Sequence, residues 1–382
     1  MIFLFSKILL VLVISLLTTS LFPQKTSASL CQGASAAIVI ETSTNAVIFE
    51  KNAHKKLPMA STTKIMTALC AIESGNMDRV VKVDDRAIGV EGSSIYLARG
   101  EKLTMRELVY GLMLHSGNDA AVAIAYAVSG SVQNFAGLMN DTAKKIGAKN
   151  TNFENPNGLD SKEHYTTAYD LAIITSYALK NDEFAQIVST YKTTISNGDK
   201  SYDRQLKNHN KLLQMYDGCT GVKTGFTKKC GRCLVSSAKR ENTTLVAVTL
   251  NDGDDWNDHM KMLDYGFENT ETKCVIKKGD YLSRISVKGG TEETADAICE
   301  EDVYITSLKG KDTDFDIEYD IQGSLTAPIE YGQNIGKVNV VIGGKPVFFA
   351  NAVTDRAVSE KPKSEVLTNF GILMNFWIDI LN

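Results

Sequence analysis

The sequence predicts an α+β fold, an antiparallel sheet flanked by helices and followed by a smaller, mostly β domain. Three features lead there. Two short apolar runs near residue 40 are split by a polar turn, a block of helix-period segments follows, and consecutive strand-like runs come after it. From about residue 272 the pattern changes to short alternating runs. With 382 residues the chain has room for two domains and short appendages.

Each element has its own signal. Ala36 to Glu41 and Ala46 to Glu50 form the expected hairpin around Thr42-Ser43-Thr44-Asn45. A helix carrying Ile65, Met66, Leu69 and Ile72 as its apolar stripe comes next. Thr104-Met105-Arg106-Glu107 has the capping-box pattern and starts a helix through Leu114. An alanine-rich helix runs from Asp119 to about Ala127. Phe135, Leu138, Met139, Thr142 and Ile146 keep helical spacing, with Gly147 as the stop. Asn155-Pro156-Asn157-Gly158 is a turn cluster, and Thr167-Ala168-Tyr169-Asp170 opens a helix to about Leu179. Gly221 to Thr227, Cys233 to Ala238 and Thr243 to Leu250 read as strands, before a Met260–Phe267 helix. In the second domain Val303-Tyr304-Ile305 and Phe315 to Tyr319 alternate, and Gly343-Gly344 separates Val338–Ile342 from Val347–Phe349, a two-residue hairpin signal.

The ends set the compartment. Lys7 precedes the apolar run Ile8 to Leu17, and Thr26-Ser27-Ala28-Ser29 suits cleavage near Ala28, so 1–28 reads as a signal peptide. An uncleaved anchor is the other reading, although the run is short for a full span. A lipoprotein site at Cys31 fits less well, because bulky Leu30 precedes it. Export places the protein on the outer face of the cytoplasmic membrane. At the far end, over 364–382, Val366, Phe370, Leu373, Trp377 and Leu381 make one stripe, widened by Ile372, Phe376 and Ile380 and preceded by Lys361 and Lys363. That stripe suits a helix lying in a membrane interface; docking on the protein's own surface fits the periodicity equally, and export favours the membrane.

A net charge of −4 gives no support to a nucleic-acid partner. Seven cysteines are few and odd in number, so the chain is not a disulfide scaffold.

The chemistry starts at Pro58 to Met66. Read as the first turn of a helix, this stretch sets Ser61 and Lys64 three residues apart on one face. A serine hydroxyl needs a base beside it, and a lysine serves only if burial or a second cation lowers its pKa. N–H groups at a helix start can also hold a developing oxyanion. Alone, the pair fits a solvated helix start, with a Ser cap and a surface lysine, better than it fits a catalytic site. What gives it weight is Ser116-Gly117-Asn118 between two helices and Lys223-Thr224-Gly225 on a strand, in the order seen in penicillin-binding proteins and β-lactamases.

On these motifs the sequence resembles the low-molecular-mass penicillin-binding proteins, the serine-type D-alanyl-D-alanine carboxypeptidases of peptidase family S11, over nearly its whole length. Ser93 to Leu97, Gly111 to Ala121, Asn155 to Leu159 and Gly221 to Thr227 extend the likeness. Cys230 stands where many relatives have a small apolar residue. The resemblance implies a β-lactamase/transpeptidase-like catalytic domain at 34–270, a β domain at 272–355 and an amphipathic membrane-anchoring helix at 364–382.

It also implies roles. Ser61 would attack the carbonyl between two D-alanines and form an acyl-enzyme, with Lys64, kept neutral by burial and the field of Lys223, taking its proton. Ser116 would relay a proton to the leaving amine, and Asn118 would donate to a substrate backbone carbonyl. Lys223 and Thr224 would bind the terminal carboxylate. Gly225 would let the strand approach the substrate, and the N–H groups of Ser61 and Phe226 would form the oxyanion hole. The implied substrate is a peptidoglycan stem pentapeptide ending in D-Ala-D-Ala, and β-lactams would acylate and inhibit the same serine. No cofactor and no metal are expected.

Other groups have plainer readings. Cys230-Gly-Arg-Cys233 lacks the second ligand pair that zinc needs and reads as a structural cysteine pair. His115 reads as packed or capping, and Asp254 to His259 as the cap of the following helix rather than a metal site. A β-lactamase would need a water-activating glutamate, but Glu154-Asn155-Pro156-Asn157 resembles the carboxypeptidase segment instead. An endopeptidase and a non-catalytic β-lactam binder on the same scaffold complete the alternatives.

Overall fold

The computed structural model describes residues 30–198, 202–311 and 313–362. The expected leader at 1–28 and the tail helix at 364–382 lie outside the described residues. The chain forms two compact units, one built mainly from the residues up to 268 and one from 269 onward, the second also including 41–46 and 240–244.

The first unit opens with strands β1 (Ala36–Glu41) and β2 (Val47–Lys51), paired antiparallel as the sequence predicts. A 3-10 turn, Ala60–Thr63, leads into α1 (Lys64–Glu73). Strands β3 (Val80–Lys82) and β4 (Lys102–Thr104) then make a small ladder. Helices α2 (Met105–Leu114), α3 (Asn118–Ser129), α4 (Val132–Ile146), α5 (Ala168–Leu179) and α6 (Asp182–Ser189) form the helical block. The ladder β5 (Lys192–Ile195) and β6 (Arg204–Lys207) and the short α7 (Leu212–Met215) lead to β7 (Cys219–Thr227), β8 (Gly231–Arg240) and β9 (Thr243–Leu250), and α8 (Asp255–Glu268) closes the unit.

The five-stranded sheet runs β2-β1-β9-β8-β7. It is buried on both faces, and the two-residue period of a strand explains how. Ala36, Ile38 and Ile40 of β1 join the core that holds α1 to α6, whereas Ala37 and Val39 join a second core with Met262 and Leu263 of α8. Every residue of α1 from Lys64 to Ile72 is buried, as is α3 from Asn118 to Ala125. Helices enclosed all round are central elements, which fixes whatever they carry at their N-termini.

The predicted caps are present. Thr104 and Glu107 bond reciprocally at the start of α2, the Thr167 hydroxyl accepts the Asp170 N–H, and Gly147 ends α4 at φ 100°. Helix α8 begins at Asp255, five residues before the expected start, because Arg232 and the core pull in Asp255 and His259. The 3-10 turn replaces the expected helical turn at Ser61. The short β3–β4 and β5–β6 ladders and α6 were not expected, although α6 buries Phe184, Ile187 and Val188 at helical spacing behind an Asn181 cap.

The second unit contains β10 (Thr270–Ile276), β11 (Tyr281–Lys288), β12 (Thr294–Cys299), β13 (Val303–Leu308), β14 (Asp316–Ile321), β15 (Ser324–Thr326), β16 (Asn334–Ile342) and β17 (Lys345–Thr354). Six of these form one sheet, β14-β16-β17-β12-β11-β15, and β10 pairs with β13. The Gly343-Gly344 turn joins β16 to β17 with φ 58° and 75°, the double positive φ that a tight hairpin demands.

Candidate active site

Ser61 sits in the 3-10 turn between Ala60 at φ 48° and the first residue of α1. Two glycines make room for this turn. A Cβ on Gly158 would fall 1.9 Å from the Ala60 carbonyl oxygen, and one on Gly225 would lie 3.1 Å from the amide nitrogens of Ser61 and Thr62. The close approach made by Gly225 is therefore between β7 and the Ser61 turn itself.

Lys64 is fully buried, and its Nζ lies 2.9 Å from Ser61 Oγ, 2.7 Å from Asn118 Oδ1 and 2.5 Å from the Asn157 carbonyl oxygen. Burial first, then the positive charge of Lys223, holds its pKa well below the usual lysine range; Asp119 opposes this. Two of the three partners are carbonyl-type oxygens, which only accept. An unprotonated amine would give its two hydrogens to them and turn its lone pair toward the Ser61 hydroxyl, the one partner able to donate.

Lys223 is also buried, and its Nζ donates to the Thr224 carbonyl at 3.0 Å. Burial lowers its pKa to about 7. Asn118 donates its amide nitrogen to the Glu91 carbonyl at 2.5 Å, and its backbone N–H to the Ser93 carbonyl. Next to it, the Asp119 carboxylate accepts from the Ser94 hydroxyl and the Ile95 and Leu97 N–H groups, pinning the 93–97 segment to the start of α3. His164 accepts the Glu154 N–H at Nδ1, so its Nε2–H donates to the hydroxyl of Thr63, the last residue of the Ser61 turn.

A cleft of about 310 Å³ opens over Ser61, Ser116, Thr224, Gly225 and Phe226. The structure thus brings five of the eight expected site residues to one surface, with Lys64 and Asn118 bonded behind Ser61. Lys223 does not line the cleft. Ser116, at φ 61°, shares the cleft but makes no hydrogen bond to Lys64 or Lys223 among the described residues.

Sequence reasoning missed several groups here. The Asn157 carbonyl is one, although its turn cluster was visible. Arg232 is another: it lines the cleft and gives Asp255 two bonds, Nε to Oδ2 at 3.1 Å and Nη2 to Oδ1 at 2.7 Å. Its guanidinium lies 5.6 Å from the Trp256 ring centre. His209, on the cleft wall, is held at a pKa of about 4 by burial and by Lys223.

The remaining candidates have structural settings. His115 caps α2 and stacks near His209. His259 is buried between the hydroxyls of Ser236 and Thr249. Among the described residues, no group of three or more His, Cys, Asp or Glu side chains is placed to hold a metal. Cys230 lies in the β7–β8 turn and Cys233 on β8, both as free thiols.

Comparison with known proteins agrees with this architecture. Residues 24–254 match the Peptidase S11 family, D-alanyl-D-alanine carboxypeptidase, and residues 271–360 match the penicillin-binding protein 5 C-terminal domain. The D-alanyl-D-alanine carboxypeptidase DacF of Bacillus subtilis (strain 168) is 35% identical over 322 residues, 82% of each chain. DacA of Escherichia coli (strain K12) is 30% identical over 330 residues, covering 82% of this chain and 81% of its own. Penicillin-binding protein 5 from Haemophilus influenzae superposes with a TM-score of 0.61 at 30% identity, over 86% of this chain and 98% of that one. With its helix-flanked antiparallel sheet and its small β domain, the chain belongs to the D-alanyl-D-alanine carboxypeptidase family S11 of serine peptidases.

Proposed function

We propose that the protein removes the terminal D-alanine from peptidoglycan stem pentapeptides through an acyl-enzyme on Ser61. One observation carries this reading: the buried Lys64 amine, its pKa held well below the usual lysine range by burial and by Lys223, lies 2.9 Å from the Ser61 hydroxyl. Lys64 takes the hydroxyl proton as Ser61 Oγ attacks the carbonyl carbon between the two D-alanines. The oxyanion is held by the N–H groups of Ser61 and Phe226, Ser116 passes a proton to the leaving amine, and water then frees the shortened peptide. Asn118 keeps one amide hydrogen beyond its bond to Glu91 for a substrate carbonyl.

The terminal carboxylate meets the Thr224 hydroxyl and Arg232. Asp255 occupies the Nε–Nη2 edge of Arg232, which leaves both Nη1 hydrogens for a second carboxylate. Lys223, buried behind Thr224, acts through its field on Lys64. A β-lactam enters the same attack, and its ring opening leaves the serine acylated and the enzyme inhibited. We further propose that the protein is exported and works at the outer face of the cytoplasmic membrane, held there by residues 364–382.

Mass spectrometry after penicillin treatment tests the assignment, with the adduct expected on Ser61 and absent from Ser61→Ala. A peptide ending in D-Ala-D-Ala should release D-alanine. An adduct retained in Ser61→Ala overturns the reading.

A further inference from the structure

Cys230 and Cys233 bring their sulfurs within 3.2 Å of each other, and no other two thiols touch among the described residues. Both side chains are buried, at 2% and 1% exposure. Neither takes part in the reaction proposed above, yet both lie against the segment that carries Ser61. Cys230 Sγ donates to the Pro58 carbonyl at 3.3 Å, three residues before the nucleophile, and Cys233 Sγ lies 4.0 Å from the same oxygen. Cys233 is the register partner of Gly225, whose open Cβ position faces the Ser61 and Thr62 amides.

We propose that Cys230 and Cys233 form a peroxide-responsive dithiol whose conversion to a disulfide is felt at Ser61. Cys230 directly follows the exposed Lys228-Lys229 turn, and the burial of both thiols favours a water-sized oxidant over bulky disulfide reagents. The pair is polarised: the Cys233 thiol donating to Cys230 lowers the Cys230 pKa and raises its own. The Cys230 thiolate attacks one oxygen of hydrogen peroxide, the O–O bond breaks, and hydroxide leaves with a proton as water. Cys233 sulfur then displaces the hydroxyl from the Cys230 sulfenic acid, giving the S–S bond and a second water. Two thiols lose two electrons and two protons, and peroxide is reduced to two waters.

The bridge removes the S–H that Cys230 gives to Pro58, so a half-buried carbonyl next to the Ser61 turn loses its donor. It also draws the sulfurs about 1 Å closer. A displacement of that size beside a reacting group is enough to slow attack.

The inference rests on acylation at Ser61 for its functional readout, so the two are tested separately. The folded protein is treated with hydrogen peroxide, alkylated under denaturing conditions and mapped by mass spectrometry. The peptide spanning Cys230 and Cys233 should lose about 2 Da and resist alkylation, and a thiol reductant should reverse both. Acylation by fluorescent penicillin should be about tenfold slower in the oxidised than in the reduced protein. Cys233→Ser should acylate at the reduced rate and lack the reversible bridge. Thiols that remain alkylatable, or a bridged protein acylating at the reduced rate, overturn the proposal. Failure of the reduced protein to acylate at all would overturn the Ser61 reading and leave the mass measurement to decide the dithiol.

Discussion

Gly158 stands directly against Ala60: a Cβ on the glycine would fall 1.9 Å from the alanine's carbonyl oxygen and 3.0 Å from the Ser61 nitrogen. Backbone contact of this kind cannot relax by turning a side chain. Gly158→Ala should therefore displace the Ser61 turn and slow penicillin acylation by about 100-fold. Gly147 offers the control. It has a similar positive φ, 100°, but nothing within 4 Å of its Cβ position. Gly147→Ala should cost about 1 kcal/mol of stability and leave the acylation rate unchanged. Equal acylation defects in the two variants would show that φ strain, not contact with Ala60, matters at 158.

Lys223 sets a stability penalty against a function. Its folded pKa is about 7, below the ordinary 10.5, so between these values the unfolded chain binds a proton that the folded chain lacks. Stability therefore falls as pH drops from about 10.5 toward 7, and below that the full penalty of a buried charge remains. Lys223→Met should raise Tm by several degrees near neutral pH, with the gain shrinking toward alkaline pH. The same change removes the charge that depresses Lys64. The acid limb of the acylation rate should move to higher pH, and the rate at pH 7 should drop about 100-fold. Thermal melts and stopped-flow acylation across pH check both; an acid limb that stays put denies the coupling of the two lysines.

Arg232 presents its guanidinium to the cleft with 42% of the side chain exposed, steered by an Asp255 carboxylate that is 3% exposed. If Arg232 receives the terminal carboxylate, Arg232→Gln should raise KM for a D-Ala-D-Ala peptide about tenfold, the loss of one charge-assisted contact, with a smaller change in kcat. Asp255→Ala should do the same by letting the fork swing. A peptide with an amidated C-terminus lacks the charge, so the native protein and Arg232→Gln should handle it alike. A tenfold difference retained on the amide would assign Arg232 to another role.

Local signals were legible where the chemistry itself is local. Ser61 and Lys64 are three residues apart, Thr104 and Glu107 cap a helix within one turn, and Gly343-Gly344 closes a hairpin; each was visible as a short pattern. What was hidden depends on distant chain. The Asn157 carbonyl that accepts from Lys64 is 93 residues away from it, and Arg232 meets Asp255 across 23. The 3-10 geometry at Ser61 was hidden too, since Ala60 at φ 48° opposes alanine's own preference and is held by packing from Gly158 and Gly225. Two beads of the expected carboxylate site also part company: Thr224 faces the cleft while Lys223 turns inward, as alternation along β7 requires.

Acid should weaken the fold through histidines buried in neutral form. Burial lowers His164 from 6.5 to about 4 and His259 to about 3. Once pH falls below 6.5 the unfolded chain takes up protons that the folded chain refuses, so stability is complete above 6.5 and is lost down to the folded values. Each histidine contributes a slope of roughly 1.4 kcal/mol per pH unit inside its window. Tm should fall progressively between pH 6.5 and 4, with no counterpart between pH 6.5 and 8 from these groups. His259 bridges the hydroxyls of Ser236 at 2.6 Å and Thr249 at 3.0 Å, and a glutamine can offer a donor and an acceptor in its place without titrating. His259→Gln should melt lower at neutral pH, because the fit is poorer, but with a shallower dependence of Tm on pH below 6. An unchanged acid slope in that variant would mean that carboxylate protonation, not the buried imidazole, governs the loss.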